Sequence, residues 1–162
     1  MPQHDFSGML ARCCGCGRLV KVLIPDGYDV DDDPARIDVD AVWRFLSGEA
    51  YWSRWRSRED VQHQIEGAWR VVGCYHPQDG MVGFARAISD GVAIAYLADV
   101  YVLARHRGNG LGAALVREMI ENGPGRTFRW LLHTADAHDL YRRFGFDTPD
   151  STYLERRPGR GR

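Results

Sequence analysis

Apolar positions along the chain change period several times, and the changes divide it into elements. From Asp38, the residues Val39, Val42, Trp43 and Leu46 recur at helical spacing with Asp38 or Asp40 placed to cap, and a second helix is predicted from Ser57 through Val61 and Ile65. Residues 69–75 and 81–89 are β-rich and flank the turn His76-Pro77-Gln78-Asp79-Gly80, which predicts a hairpin. Asp90-Gly91 marks another turn, and the near-continuous apolar run over 92–102 predicts a strand at the covered centre of a sheet. A helix is predicted from near Gly110, with Leu111, Leu115 and Met119 on one side and a stop at Asn122-Gly123-Pro124-Gly125. A strand over 128–132, a short helix over 137–144 and a last strand over 151–155 complete the series. These elements predict an α/β or α+β domain with a mixed sheet.

The domain is expected over residues 25–157, between a peripheral arm at 1–24 and a short basic tail at 158–162 that reads as a solvated terminus. The acidic run from Asp29 to Asp33 reads as a solvated loop before the first helix and carries no assigned chemistry.

Composition narrows the class. At 162 residues the chain has the size of one domain, and 44% apolar with 27% charged residues is globular usage, so it is expected to fold without staples. A formal net charge of −1 provides no global basic field, so neither nucleic acid nor an anionic membrane surface is an expected partner. The apolar run ending at Ala104 is interrupted by Asp99 and falls short of the roughly 18 residues a membrane span requires. Met1-Pro2-Gln3-His4-Asp5 shows no secretory pattern, and a cytoplasmic location is the expectation. Cys13-Cys14-Gly15-Cys16 has the spacing of half a zinc site, but only Cys74 and His76 remain to complete it. The arm is therefore read as carrying free thiols, and no metal is assigned.

The informative segment follows the third strand. Arg105-His106-Arg107-Gly108-Asn109-Gly110-Leu111-Gly112-Ala113 is a glycine-rich turn running into an amphipathic helix. Glycines permit positive φ and close backbone approach, so successive amide N–H groups can converge on an anion at the positive end of the helix dipole. Gly108-x-Gly110-x-x-Ala113 also satisfies a relaxed dinucleotide fingerprint, but a nucleotide-binding domain needs several further βα units and about fifty residues remain. No glycine-lysine followed by serine or threonine exists to form a Walker loop.

Arg107-x-x-Gly110-x-Gly112 after a strand resembles the acetyl-CoA signature of the GNAT (general-control-type N-acetyltransferase) superfamily. Leu140-Tyr141-Arg142-Arg143-Phe144-Gly145-Phe146 is similar to that family's later motif, a tyrosine on a short helix ending in Gly-Phe. The two motifs stand in the family's order, and the likeness covers roughly residues 29–155. It implies a mostly antiparallel central sheet flanked by helices, and acetyl-CoA as co-substrate. It further implies that backbone groups of Val100, Tyr101 and Val102 pair with the pantetheine arm. The amides of Arg107, Gly108, Asn109, Gly110, Leu111 and Gly112 would hold the pyrophosphate, and Thr134, where many relatives carry asparagine, would bond the cofactor.

Acyl transfer from a thioester to an amine needs a neutral amine, a stabilised oxyanion and a proton for the departing thiolate. The resemblance makes Tyr141 the general acid, since a phenol of pKa about 10 can protonate a thiolate of pKa about 8.5. For the base, Asp99, Tyr96 and His133 are rivals, alongside a water chain. Strict alternation puts Asp99 on the opposite face from Tyr96, Ala98 and Val100 unless the strand bulges. The acceptor is expected to be a small-molecule primary amine held by Tyr51, Trp52, Trp55 and His133. A protein or peptide N-acetyltransferase and a non-catalytic acyl-CoA sensor are the alternatives. Family members often pair, so a homodimer is admitted, although no interface stripe stands out.

Overall fold

The computed structural model describes residues 24–52 and 55–156. The cysteine cluster Cys13, Cys14 and Cys16 and the tail from 158 onward lie outside the described residues. Five strands form one sheet in the order β1-β2-β3-β4-β5: β1 Asp29–Asp31, β2 Arg70–His76, β3 Gly80–Ser89, β4 Ile94–Val102 and β5 Arg129–Leu131. Neighbours are antiparallel except β4 and β5, which run parallel. A parallel pair needs a crossover, and α3 (Leu111–Ile120) supplies it across one face. The mixed sheet flanked by helices is the architecture expected from the sequence.

The opposite face is covered by α1 (Val39–Gly48) and α2 (Arg58–Glu66). Both start where side chains satisfy the free amides of a helix beginning. Asp38 accepts from Ala41 N at 3.0 Å, and Ser57 and Asp60 form a reciprocal capping box. Val42, Phe45, Leu46 and Val61 then pack with Val71, Met81, Phe84 and Tyr101 as one core layer. The other layer joins Leu111, Leu115, Val116 and Met119 of α3 to Val72, Val82, Ala85, Ala87 and Leu97 of the sheet.

One irregularity in β4 decides which side chains share a face. Arg86 lies opposite Ala98 and Phe84 opposite Tyr101, so two steps along β3 correspond to three along β4. The extra residue is absorbed at Asp99, whose φ of 53° is the one positive value at a non-glycine position among the described residues. Before this bulge Leu97 faces α3, and after it Val102 does so while Tyr101 turns toward α1. Asp99 therefore joins Tyr96 and Ala98 on the α1–α2 face, the case in which simple alternation fails.

Four sequence expectations are corrected. The acidic run is not wholly loop: Asp29–Asp31 pairs with β2 as an edge strand, and Arg36 bonds both Asp29 and Asp31. The third strand starts at Ile94, because the Asp90 side chain takes the amides of Val92, Ala93 and Ile94 into a turn. No strand forms over 151–155: Asp150 accepts from the Thr152 amide and hydroxyl, and this local bonding holds a turn where a ladder was expected. The short helix also ends earlier, as α4 (His138–Arg142).

Candidate active site

β5 pairs only with the first three residues of β4, Ile94 to Tyr96, so beyond Tyr96 β4 has β3 on one side and an open edge on the other. Val100, Tyr101 and Val102 lie on this edge. The Val102 carbonyl accepts from Arg107 Nε at 2.9 Å, which ties the glycine-rich turn to the strand end. Gly108 and Gly110 have φ of 84° and 77°, a left-handed conformation in which Gly110 caps α3. No side chain caps the first-turn amides of α3, so they point from the helix start without a side-chain acceptor. A Cβ at Gly112 would meet Leu140 at 3.5 Å, an ordinary contact, so packing within the chain does not demand glycine there. The Asn109 side chain donates to the His106 carbonyl at 3.2 Å.

A cleft of about 480 Å³ opens beside this edge. Tyr51, Trp52, Tyr96, Asp99, His133, Thr134 and Tyr141 line it, so the structure brings together most of the candidate residues. Trp55 is not among the lining residues and is 75% exposed. Tyr51 bridges the cleft, its hydroxyl accepting from Ala135 N at 3.3 Å.

Asp99 sits at the floor of the cleft and is saturated. Its carboxylate accepts from Trp52 Nε1 at 3.2 Å, Arg56 Nη1 at 2.8 Å and Nη2 at 3.0 Å, and Arg86 Nε at 2.6 Å. Burial alone would raise its carboxyl pKa, but the Arg56 hydrogen bonds and the adjacent Arg86 charge hold it below the usual carboxylate range. Arg86 was not singled out from the sequence. The available signal was a charged residue between Ala85 and Ala87 inside an otherwise apolar strand.

The groups suited to proton transfer lie higher in the cleft. Tyr96 Oη and His133 Nδ1 share a hydrogen bond of 2.8 Å, and His133 Nε2 lies 3.6 Å from Glu155. Burial raises the Tyr96 phenol, and it pushes Tyr141 up to about 12, with Asp136 and Tyr51 adding to the Tyr141 shift. The Tyr141 hydroxyl makes no hydrogen bond among the described residues. Its ring is held edge-on by Phe146, which the left-handed Gly145 (φ 81°) turns back onto the end of α4. Thr134 Oγ1 is engaged with the Ala137 amide at 3.1 Å. Tyr141 also walls a second cavity of about 310 Å³ between β5, α4 and residues 146–149. Elsewhere, Cys74 is buried and its thiol is pushed up to about 11, mainly by that burial. No described helix is long and apolar enough to cross a membrane.

A parallel strand pair thus parts beside an uncapped glycine turn, with a tyrosine at the opening. Comparison with known proteins gives the family of the chain. The model of the acetyltransferase (GNAT) domain matches residues 68–148. A presumed GNAT-family acetyltransferase from Xanthomonas campestris pv. campestris has a crystal structure that is 35% identical, with a TM-score of 0.74, covering 81% of this chain and 93% of that one. A presumed acetyltransferase of Gibberella zeae is 29% identical over 134 residues, which are 70% of this chain and 75% of that protein. A predicted acetyltransferase from Clostridium acetobutylicum, crystallised with acetyl-CoA, shares the fold at 16% identity, with a TM-score of 0.60 and coverage of 80% and 94%. The chain belongs to the GNAT acetyltransferase family and is by that membership an acyltransferase.

Proposed function

We propose that the protein is an N-acetyltransferase that transfers the acetyl group of acetyl-CoA directly to the primary amine of a small molecule. Acetyl-CoA, when bound, supplies an activated acetyl thioester. The residues present fit it: the open β4 edge at Val100, Tyr101 and Val102 would take the pantetheine amides, and the uncapped amides from Gly108 to Gly112 would take the pyrophosphate, the Arg107 amide being engaged with the Ala104 carbonyl. Neither Gly108 nor Gly110 carries a side chain to obstruct that approach.

Tyr141 is assigned as the general acid. Its hydroxyl is uncommitted, and a pKa pushed up to about 12 keeps it protonated at any working pH near neutrality. Tyr96 and His133 together are assigned to remove the ammonium proton, with Glu155 beyond His133 able to stabilise an imidazolium. Asp99 is assigned to hold Arg56 and Arg86 rather than to act as base, since a carboxylate held by two cations has little affinity for a proton. The observation that carries the small-molecule reading is the Tyr51–Ala135 bridge, which spans a cleft of about 480 Å³. An extended peptide would have to break it.

The test is acetyl transfer to a panel of amines, followed by release of CoA thiol, with Tyr141→Phe in parallel. Transfer to small amines that falls at least about 100-fold in the variant supports the reading. Acetyl-CoA binding without transfer to any amine would favour a sensor, and transfer to peptides alone would favour a peptide acetyltransferase.

A further inference from the structure

We infer that the acceptor carries an anionic oxyacid group, a carboxylate or a phosphate, close to its amine, and that Arg86 receives it at the floor of the cleft. The inference rests on the reading of this cleft as the site of a small amine. It begins from an imbalance of charge. Arg56 and Arg86 have side chains 9% exposed and share one carboxylate, Asp99, that is 2% exposed. The buried group thus carries two positive charges against one negative. An uncompensated charge away from water is costly, and a site that keeps one gains when a ligand brings the counter-charge.

The two arginines differ in what they have left to offer. Arg56 is spent on Asp99 and Gln64 through both Nη atoms, and its Nε is buried without a partner. Arg86 uses only Nε, and its two Nη groups make no hydrogen bond among the described residues. A guanidinium anchored through Nε presents its Nη donors as a flat fork, the geometry that an oxyanion accepts in two parallel bonds. Arg86 lines the cleft on the same face as Tyr96, directly opposite Ala98 on the neighbouring strand, so an anion on it lies beneath the proton-transfer groups. Of the other charged groups, Asp136 lines the cleft exposed and forms no ion pair with either arginine among the described residues, and the fully exposed Asp60 feels Arg56 only as its weakest electrostatic influence. Glu155 is occupied beside His133.

Asp99 leads to the same conclusion. A cleft for diamines or polyamines needs a free carboxylate to hold the second ammonium, and Asp99 has none of its acceptor capacity unused. The arrangement selects against a second cation and for an anion.

The experiment uses the full chain saturated with CoA, titrated calorimetrically with matched pairs that differ only in the anionic group. Amino acids are compared with their α-carboxamides, and O-phosphoethanolamine with ethanolamine, with spermidine included as a polyamine. Acetyl transfer from acetyl-CoA is followed on the same compounds. The anionic member of at least one pair is expected to bind about tenfold or more tightly than its neutral partner, with spermidine weakest. Which pair shows the gap distinguishes carboxylate from phosphate. Arg86→Gln should close the gap, and Arg86→Lys, which keeps the cation next to Asp99 but loses the fork, should retain part of it. Equal binding within every pair, no binding by any compound, tighter binding of spermidine, or a gap that survives Arg86→Gln each overturns the inference. Binding with the expected gap but without acetyl transfer sinks the transferase reading and leaves the anion site standing.

Discussion

Asp99→Asn tests the buried ion cluster with a change of almost no volume. The carboxylate accepts four hydrogen bonds from three side chains, two of them guanidiniums. A carboxamide accepts only through its oxygen and turns an NH₂ toward whichever donors faced the second oxygen, so at least one arginine loses its partner. Removing one member of a buried ion pair costs roughly 3–5 kcal/mol, and with the Asp99 side chain 2% exposed no large discount for solvent applies. For a domain of this size each kcal/mol moves Tm by about 2–4 °C, which places the expected fall at roughly 6–20 °C. Urea unfolding at neutral pH and thermal melts would measure it. The pH dependence supplies a second reading. The folded-state pKa of Asp99 is depressed, so its contribution is present above the unfolded carboxylate value and is lost as pH falls through the lower folded one. Wild-type protein should lose this increment only in acid, and the variant should lack it throughout. A loss under about 1 kcal/mol, or an unchanged acid limb, would refute the picture of a dry, saturated carboxylate.

Other outcomes follow from the same geometry. Gly110→Asp should abolish measurable acetyl-CoA binding by calorimetry, because it forces a side chain into a left-handed cap at φ 77° and brings a negative charge to the anion site. With Tyr141 pushed up to about 12, kcat should show no alkaline fall from loss of the general acid through about pH 10; a limb near 9 that disappears in Tyr141→Phe would contradict the assignment. His133→Ala should lower kcat more than it raises KM for the acceptor, measured at saturating acetyl-CoA, and a change in KM alone would remove His133 from proton transfer. Ser57→Ala should cost about 1 kcal/mol in urea unfolding by breaking the α2 capping box, with acetyl-CoA affinity unaltered.

The sequence made legible what local pattern encodes. Asp38 and Ser57 announced both early helices, and the Gly108–Gly112 run announced the turn into α3, because caps and positive-φ glycines act within a few residues. Tyr141 and the β4 edge followed from motif order. The ion cluster was not legible, since Asp99 meets Arg86 across 13 positions and Arg56 across 43, and nothing local to any of the three reports the others. In the sequence Asp99 is consequently a candidate base like Tyr96, with nothing local to show its arginine partners. The same distance hid β1, whose acidic residues read as loop until β2 and Arg36 are brought beside them. The missing last strand is the converse case, a β-rich stretch for which Asp150 offers a nearer partner than any neighbouring strand.

The extra residue in β4 makes that strand two half-strands of opposite parity joined at Asp99. Smoothing the bulge without removing a residue would impose strict alternation and exchange everything downstream. Tyr101 would leave the ring of Phe45, stacked at 3.8 Å, for the α3 layer, and Val102 would take its place among the aromatics. The two cores thus fix the position of the bulge independently of any chemistry in the cleft. Loss of one residue at Asp99 would leave both layers in place, so what the cores constrain is the parity of β4 on either side of the bulge and not its length.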